Sequence, residues 1–162
     1  MGNKKVIILG SSRSKGNTAK VATAISEKYN IDVVDLNNYN ISYYDYESKN
    51  LEDDFLPLIK TILEKYDTLI FTTPVYWYNM SGIMKVFFDR FSDLIRIEKE
   101  TGRKLRGKNM MVISNSHDDN IDASYYIPFQ KSAAYLGMEY QGNMHFNANK
   151  INDLKNIELI QL

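Results

Sequence analysis

Lys5-Val-Ile-Ile-Leu-Gly-Ser-Ser-Arg-Ser-Lys-Gly-Asn-Thr18 changes character once, at Gly10. Before it, a short unbroken apolar run reads as a strand buried on both faces, because a half-exposed strand would alternate. After it come small polar and basic residues, and then Val21, Ala22, Ala24 and Ile25 recur at helical spacing. That pattern predicts a helix over 17–29, with Asn17 and Thr18 as capping candidates. A buried strand, a donor-rich loop and a helix in this order open a parallel α/β sheet.

The alternation continues along the chain. Residues 31–36 read as a second strand. Residues 51–65 read as a helix with Phe55, Leu58, Ile59, Ile62 and Leu63 on one face, behind Asp53 and Asp54, whose charge suits a helix start. Strands are expected over 68–73, 109–114 and 138–146, and helices over 81–97 and 129–136, the latter ended by Gly137. Ile151, Leu154, Ile157 and Ile160 fit a short closing helix. With 162 residues the chain is expected to form one domain over 1–162, and strict alternation implies right-handed crossovers and an α/β three-layer sandwich around a five-stranded parallel sheet. Such sheets bind ligands at the carboxyl ends of their strands, so the loops after Leu9, Thr73 and Ser114 should share one site.

Each loop carries its own chemistry. In the first, hydroxyls and backbone N–H groups meet the start of a helix, where free N–H groups and the dipole favour an anion. The dipole alone contributes only about 0.3–1 kcal/mol, so charge-assisted hydrogen bonds must add to it, and Ser11, Arg13, Asn17 and Thr18 are the natural donors. The loop is no Walker A motif, because Asn-Thr follows the second glycine, and it lacks the Gly-x-Gly-x-x-Gly of a dinucleotide fold. A well-capped β–α turn would use the same residue types. The second loop, Thr73-Pro-Val-Tyr-Trp-Tyr-Asn-Met-Ser-Gly82, places three aromatics in a row behind a rigid proline, which suits the face or edge of a planar heterocycle or else packing over the sheet end. The third, Ser114-Asn-Ser-His-Asp-Asp-Asn120, offers Ser114 and Asn115 to a heterocycle's polar edge, while His117 among acids reads as a solvated loop residue and His145 as part of a strand.

Together the first two loops, the second continued as Ile-Met-Lys-Val-Phe-Phe-Asp-Arg90, resemble the NAD(P)H-dependent FMN reductase and multimeric flavodoxin-like oxidoreductase family, nearly end to end. The resemblance implies a flavodoxin-like sheet of order 2-1-3-4-5 and non-covalent FMN as cofactor. It places the phosphate on Ser11, Arg13, Ser14, Asn17 and Thr18, and the ring against Pro74, Val75, Tyr76, Trp77, Tyr78 and Asn79, with Ser81 within touch. No catalytic side chain is expected, since the flavin carries the chemistry, with NAD(P)H as co-substrate. Lys85, Asp89 and Arg90 also match the family, but spacings of four and one on a helix suit a structural ion pair. Iron–sulfur relatives carry cysteines after the second strand, where this chain has Ile41-Ser-Tyr-Tyr-Asp-Tyr46. The residues 39–46 are expected to pack, or to help wall the flavin in a homodimer.

Composition narrows the functions. Twenty basic residues balance twenty acidic ones, which gives no field to draw nucleic acid or a membrane surface. With no cysteine there is no thiolate metal site, no iron–sulfur ligation and no cysteine phosphatase chemistry, and two separated histidines make a poor metal site. No apolar run approaches the ~20 residues that cross a bilayer. Met1-Gly-Asn-Lys-Lys leads straight into the first strand, and Val6 spoils a myristoylation pattern, so the cytoplasm is the expected location. Two classes remain. One is an enzyme passing electrons from a nicotinamide cofactor through FMN to a quinone, azo or nitro compound or free flavin. The other is a flavodoxin-type carrier between proteins, which would be expected to carry an acidic docking face that this neutral chain lacks.

Overall fold

The computed structural model describes residues 3–150. The closing helix expected from Ile151 to Ile160 lies outside them. Five parallel strands form one sheet: β1 (Lys5–Leu9), β2 (Asp32–Asp35), β3 (Thr68–Pro74), β4 (Asn109–Ser116) and β5 (Glu139–Asn147), in the order β2-β1-β3-β4-β5. The helices are α1 (Asn17–Tyr29), α2 (Phe55–Lys65), α3 (Gly82–Asp89), α4 (Phe91–Arg96), α5 (Lys99–Arg103) and α6 (Ile127–Leu136), with 3-10 turns at Leu36–Asn38 and Ala123–Tyr126.

The central strands are apolar because both faces are covered. On one side α1 packs Val21, Ala22 and Ile25 on Ile7, Leu9, Ile70 and Ile113. On the other, α2, α3, α4 and α6 close over Val6, Ile8, Leu69, Phe71 and Val112. Phe55, Phe71, Phe87 and Phe91 meet there in edge and tilted contacts with centroids 5.4 to 6.5 Å apart, a geometry that adds to plain area burial.

Three local expectations are corrected. The helix expected over 81–97 is two helices, broken at Arg90, whose fully buried guanidinium turns out of the helical line towards the 42–53 segment. Its partners are Asp93 at 2.6 Å and Asp53, whereas Asp89 pairs with Lys85 at 2.5 Å. Asp53 lies before α2, which starts at Phe55; its carboxylate accepts the Phe55 N–H at 3.0 Å as well as the Arg90 charge. Finally, neither Asn17 nor Thr18 caps α1: the N-cap is Gly16, which has no side chain to offer.

Gly10 is held by close approach. A Cβ there would sit 2.7 and 2.8 Å from Met84 side-chain atoms, so α3 reaches the end of β1 only over a glycine. Ser81 tightens the same junction, donating from its hydroxyl to the Gly10 carbonyl at 2.6 Å and accepting the Met84 N–H at 3.1 Å.

Candidate functional site

Sheet register aligns the carboxyl ends of β1, β3 and β4: Leu9 lies beside Thr72, and Pro74 beside Asn115. The loops that leave them enclose a small cleft of about 90 Å³ lined by Ser11, Arg13, Asn17, Thr18, Pro74, Val75, Tyr76 and Asn115. Eight of the fourteen residues expected at the site therefore meet there.

The first wall is the start of α1 and the loop before it. Because Gly16 cannot cap, the first-turn N–H groups of α1 have no side-chain acceptor and face the loop with the positive end of the helix dipole. Ser11 and Thr18 are buried, and Asn37 donates to the Ser11 carbonyl, tying the loop to the end of β2. Arg13 is exposed and has no ion-pair partner among the described residues. On the wall from β4, Asn115 is 5% exposed and its side-chain oxygen is buried without a hydrogen-bond partner, an acceptor waiting for a donor.

The aromatic loop is a two-residue hairpin. Tyr76 and Asn79 exchange backbone hydrogen bonds at 2.9 and 3.0 Å, with Trp77 and Tyr78 between them at φ 49° and 61°. Positive φ at both central positions marks a type I′ turn, usually made by Asn or Gly. It holds the Trp77 side chain almost wholly in solvent, at 95% exposure, beside an exposed Tyr78. Tyr76 also forms part of a second cleft of about 510 Å³, with Leu36, Tyr39, Ile41, Tyr43, Ile83 and Val86. Of the 41–46 segment, Ile41 packs against the core, Tyr44 takes a hydrogen bond from Arg96, and Tyr43 and Tyr46 are exposed.

Several expected residues lie elsewhere. Ser14 is on an exposed turn before α1, and Trp77, Tyr78 and Asn79 flank the cleft without lining it. The Ser81 hydroxyl is spent on Gly10 and Met84, which makes it a helix cap in the wall of the larger cleft. Strand alternation turns Ser114 inward: its hydroxyl is fully buried, 2.7 Å from the Tyr126 hydroxyl and 2.8 Å from His145 Nδ1. Ser116, His117 and Ala148 also line the cleft: Ser116 ends β4, which runs two residues further than its apolar run signals, and Ala148 follows β5.

A family model described as NADPH-dependent FMN reductase matches residues 3–153. The chain belongs to that family. FMN and NAD(P)H are accordingly its cofactor and reductant, and it is an oxidoreductase. Among curated proteins it is 28% identical to a putative NAD(P)H-dependent FMN-containing oxidoreductase of Bacillus subtilis, over 93% of this chain and 88% of that protein. Two solved structures share the fold. One is the Trp repressor binding protein from Bacillus subtilis, with a TM-score of 0.70, 23% identity and coverage of 96% of this chain and 99% of the other. The other is an FMN-dependent NADH-azoreductase from Bacillus anthracis in complex with FMN, with a TM-score of 0.67, 16% identity and coverage of 94% of each chain.

Proposed function

We propose that this member of the family seats the FMN phosphate on Ser11, Arg13, Asn17 and Thr18 and the ring end against Pro74 to Tyr76 and Asn115. In this reading it passes electrons from NAD(P)H to a small planar acceptor such as a quinone, an azo or nitro compound, or free flavin. The observation that carries this reading is the uncapped start of α1, which opens on a cleft shared with an aromatic turn. An anion with a flat heterocycle attached matches both ends at once. The unpartnered Asn115 oxygen suits an imide N–H on that heterocycle.

Bound there, FMN would supply the hydride and electron chemistry; the chain binds and orients it and keeps water from one face. The larger neighbouring cleft, mostly apolar and sharing Tyr76, suits the acceptor. The chain's zero net charge supports an enzyme over a carrier that docks electrostatically. A cytoplasmic location and a homodimer whose partner helps cover the exposed Trp77, Tyr78 and Tyr43 complete the proposal. No helix among the described residues is long and apolar enough to cross a membrane.

Titration of the apoprotein with FMN and with riboflavin tests the phosphate seat: FMN should bind more tightly by at least about tenfold, the worth of one or two charge-assisted hydrogen bonds. Equal affinities would remove it. Anaerobic mixing of the FMN-loaded protein with NADH and NADPH should bleach the flavin rapidly, and a loaded protein that ignores both would be a carrier.

A further inference from the structure

We propose that His145, on β5, is a positioning residue whose neutral ring, protonated on Nε2, turns the hydroxyl proton of Ser116 towards the ligand cleft. A bulge brings it there. Met110 pairs with Tyr140 and Met111 with Gly142, so Gln141 is an extra residue, and the strand bends at Gly142 with φ 118°. Without that extra residue the register beyond it would shift by one and reverse the face on which residue 145 stands. With it, His145 lies beside Ser114.

The ring's partners fix its tautomer. Nε2 lies 3.2 Å from the Asp118 carbonyl and 3.1 Å from Ser116 Oγ, while Nδ1 lies 2.8 Å from Ser114 Oγ. A carbonyl only accepts, so Nε2 carries the hydrogen and Nδ1 accepts from the Ser114 hydroxyl. Ser114 in turn accepts from the Tyr126 hydroxyl at 2.7 Å, which gives the buried chain one consistent direction. The single Nε2 hydrogen is shared between the Asp118 carbonyl and Ser116 Oγ, and Ser116 Oγ accepts a second bond from the Asp118 N–H at 3.0 Å. Both its lone pairs are occupied and its proton remains for the cleft that Ser116 lines. In the opposite tautomer Nε2 would take the Ser116 proton and leave the Asp118 carbonyl without its ring donor. The ring therefore decides whether Ser116 donates into the cleft, and the ligand atom it serves is an acceptor, a carbonyl or phosphate oxygen of the FMN assigned above, on which reading this part rests.

Nitrogen-15 NMR of histidine-labelled apoprotein reads the tautomer without any cofactor. The Nε2–H form is expected for His145, and an Nδ1–H form or a doubly protonated ring at neutral pH overturns the proposal. FMN titrations read the consequence. Ser116→Ala and His145→Leu should each weaken FMN about three- to tenfold, the worth of one hydrogen bond, while Ser116→Thr and His145→Gln, which retain the donors, should stay near wild type. Wild-type affinity in Ser116→Ala overturns it as well. Should His145→Leu fail to fold, Ser116→Ala and the tautomer decide between them. A wild-type apoprotein that takes up no FMN refutes the cofactor reading, and the tautomer then stands or falls alone.

Discussion

Trp77 and Tyr78 stand in a conformation that costs each of them about 1 kcal/mol or more, and they face water while doing so. The two backbone hydrogen bonds between Tyr76 and Asn79 close the turn, but the exposed side chains of Trp77 and Tyr78 add no core packing to offset the cost. Trp77→Ala should leave the denaturant midpoint of the apoprotein within about 0.5 kcal/mol of wild type, as for other exposed substitutions. If the indole edges the flavin, the same change weakens FMN by about 0.5–1.5 kcal/mol in a titration. A stability loss of the 3–5 kcal/mol typical of a core tryptophan would contradict the exposed placement. Tyr78→Gly should raise apoprotein stability by about 1 kcal/mol, since glycine takes φ 61° without strain. The aromatic run was legible in the sequence as a loop at the carboxyl end of β3. Its turn type was not, because Trp-Tyr is a poor type I′ pair and only the hydrogen bonds between Tyr76 and Asn79 reveal it.

At the scale of elements, the break between α3 and α4 shows why helical periodicity misplaces boundaries. Met84, Phe87, Phe88, Phe91 and Leu94 keep one apolar face through the break, so the pattern of 81–97 reads as continuous. What interrupts it is a long-range event. The Arg90 guanidinium, stacked 4.8 Å from the centroid of the Phe55 ring, bonds Asp93, Asp53 and the carbonyls of Ser42 and Asn50, at 3.1 Å and 3.3 Å for the last two. It thereby pins the segment between β2 and α2, which bears Tyr39, Ile41 and Tyr43 of the larger cleft, to the helical layer. Arg90→Leu should cost about 3–5 kcal/mol in chemical denaturation, because Asp93, 1% exposed, is left as an unpaired buried charge. Neutralising both partners as well, with Asp53→Asn and Asp93→Asn, should recover most of that loss. Lys85→Ala, which breaks an exposed pair, should change stability by no more than about 0.5 kcal/mol.

Across the whole molecule, the sheet order was legible because buried parallel strands leave unbroken apolar runs and helices leave a 3.6-residue period. The far wall of the cleft was less so: His145 reaches Ser114 and Ser116 only through a bulge at Gln141 and Gly142, which leaves no local signal strong enough to predict. Two half-buried groups shape how the fold answers acid. Burial lowers the His145 pKa from its ordinary value, against the Asp118 carbonyl and the Asp118 charge, which raise it; Tyr126 is the titratable group facing it from the helical layer, through Ser114. As pH falls below about 6.5 the unfolded chain therefore binds this proton first, and the stability present above that value declines. Asp53 acts lower down. Burial alone would raise its carboxyl, but hydrogen bonds from Arg90, Ser42 and Phe55 outweigh it and hold the pKa below the usual carboxylate value. Its contribution is thus present above about pH 4 and is lost as pH falls through the folded value. Asp119 and Asp122 are also held low, by Lys150 and Ser124, yet both are exposed and contribute to every variant alike. Denaturant midpoints of the apoprotein between pH 3 and pH 8 should therefore fall in two stages. His145→Gln should flatten the stage below about pH 6.5 and spare the lower one, while Asp53→Asn should do the reverse. A wild-type profile that is flat from pH 7 to pH 5 would mean that the ring is not held neutral by its burial.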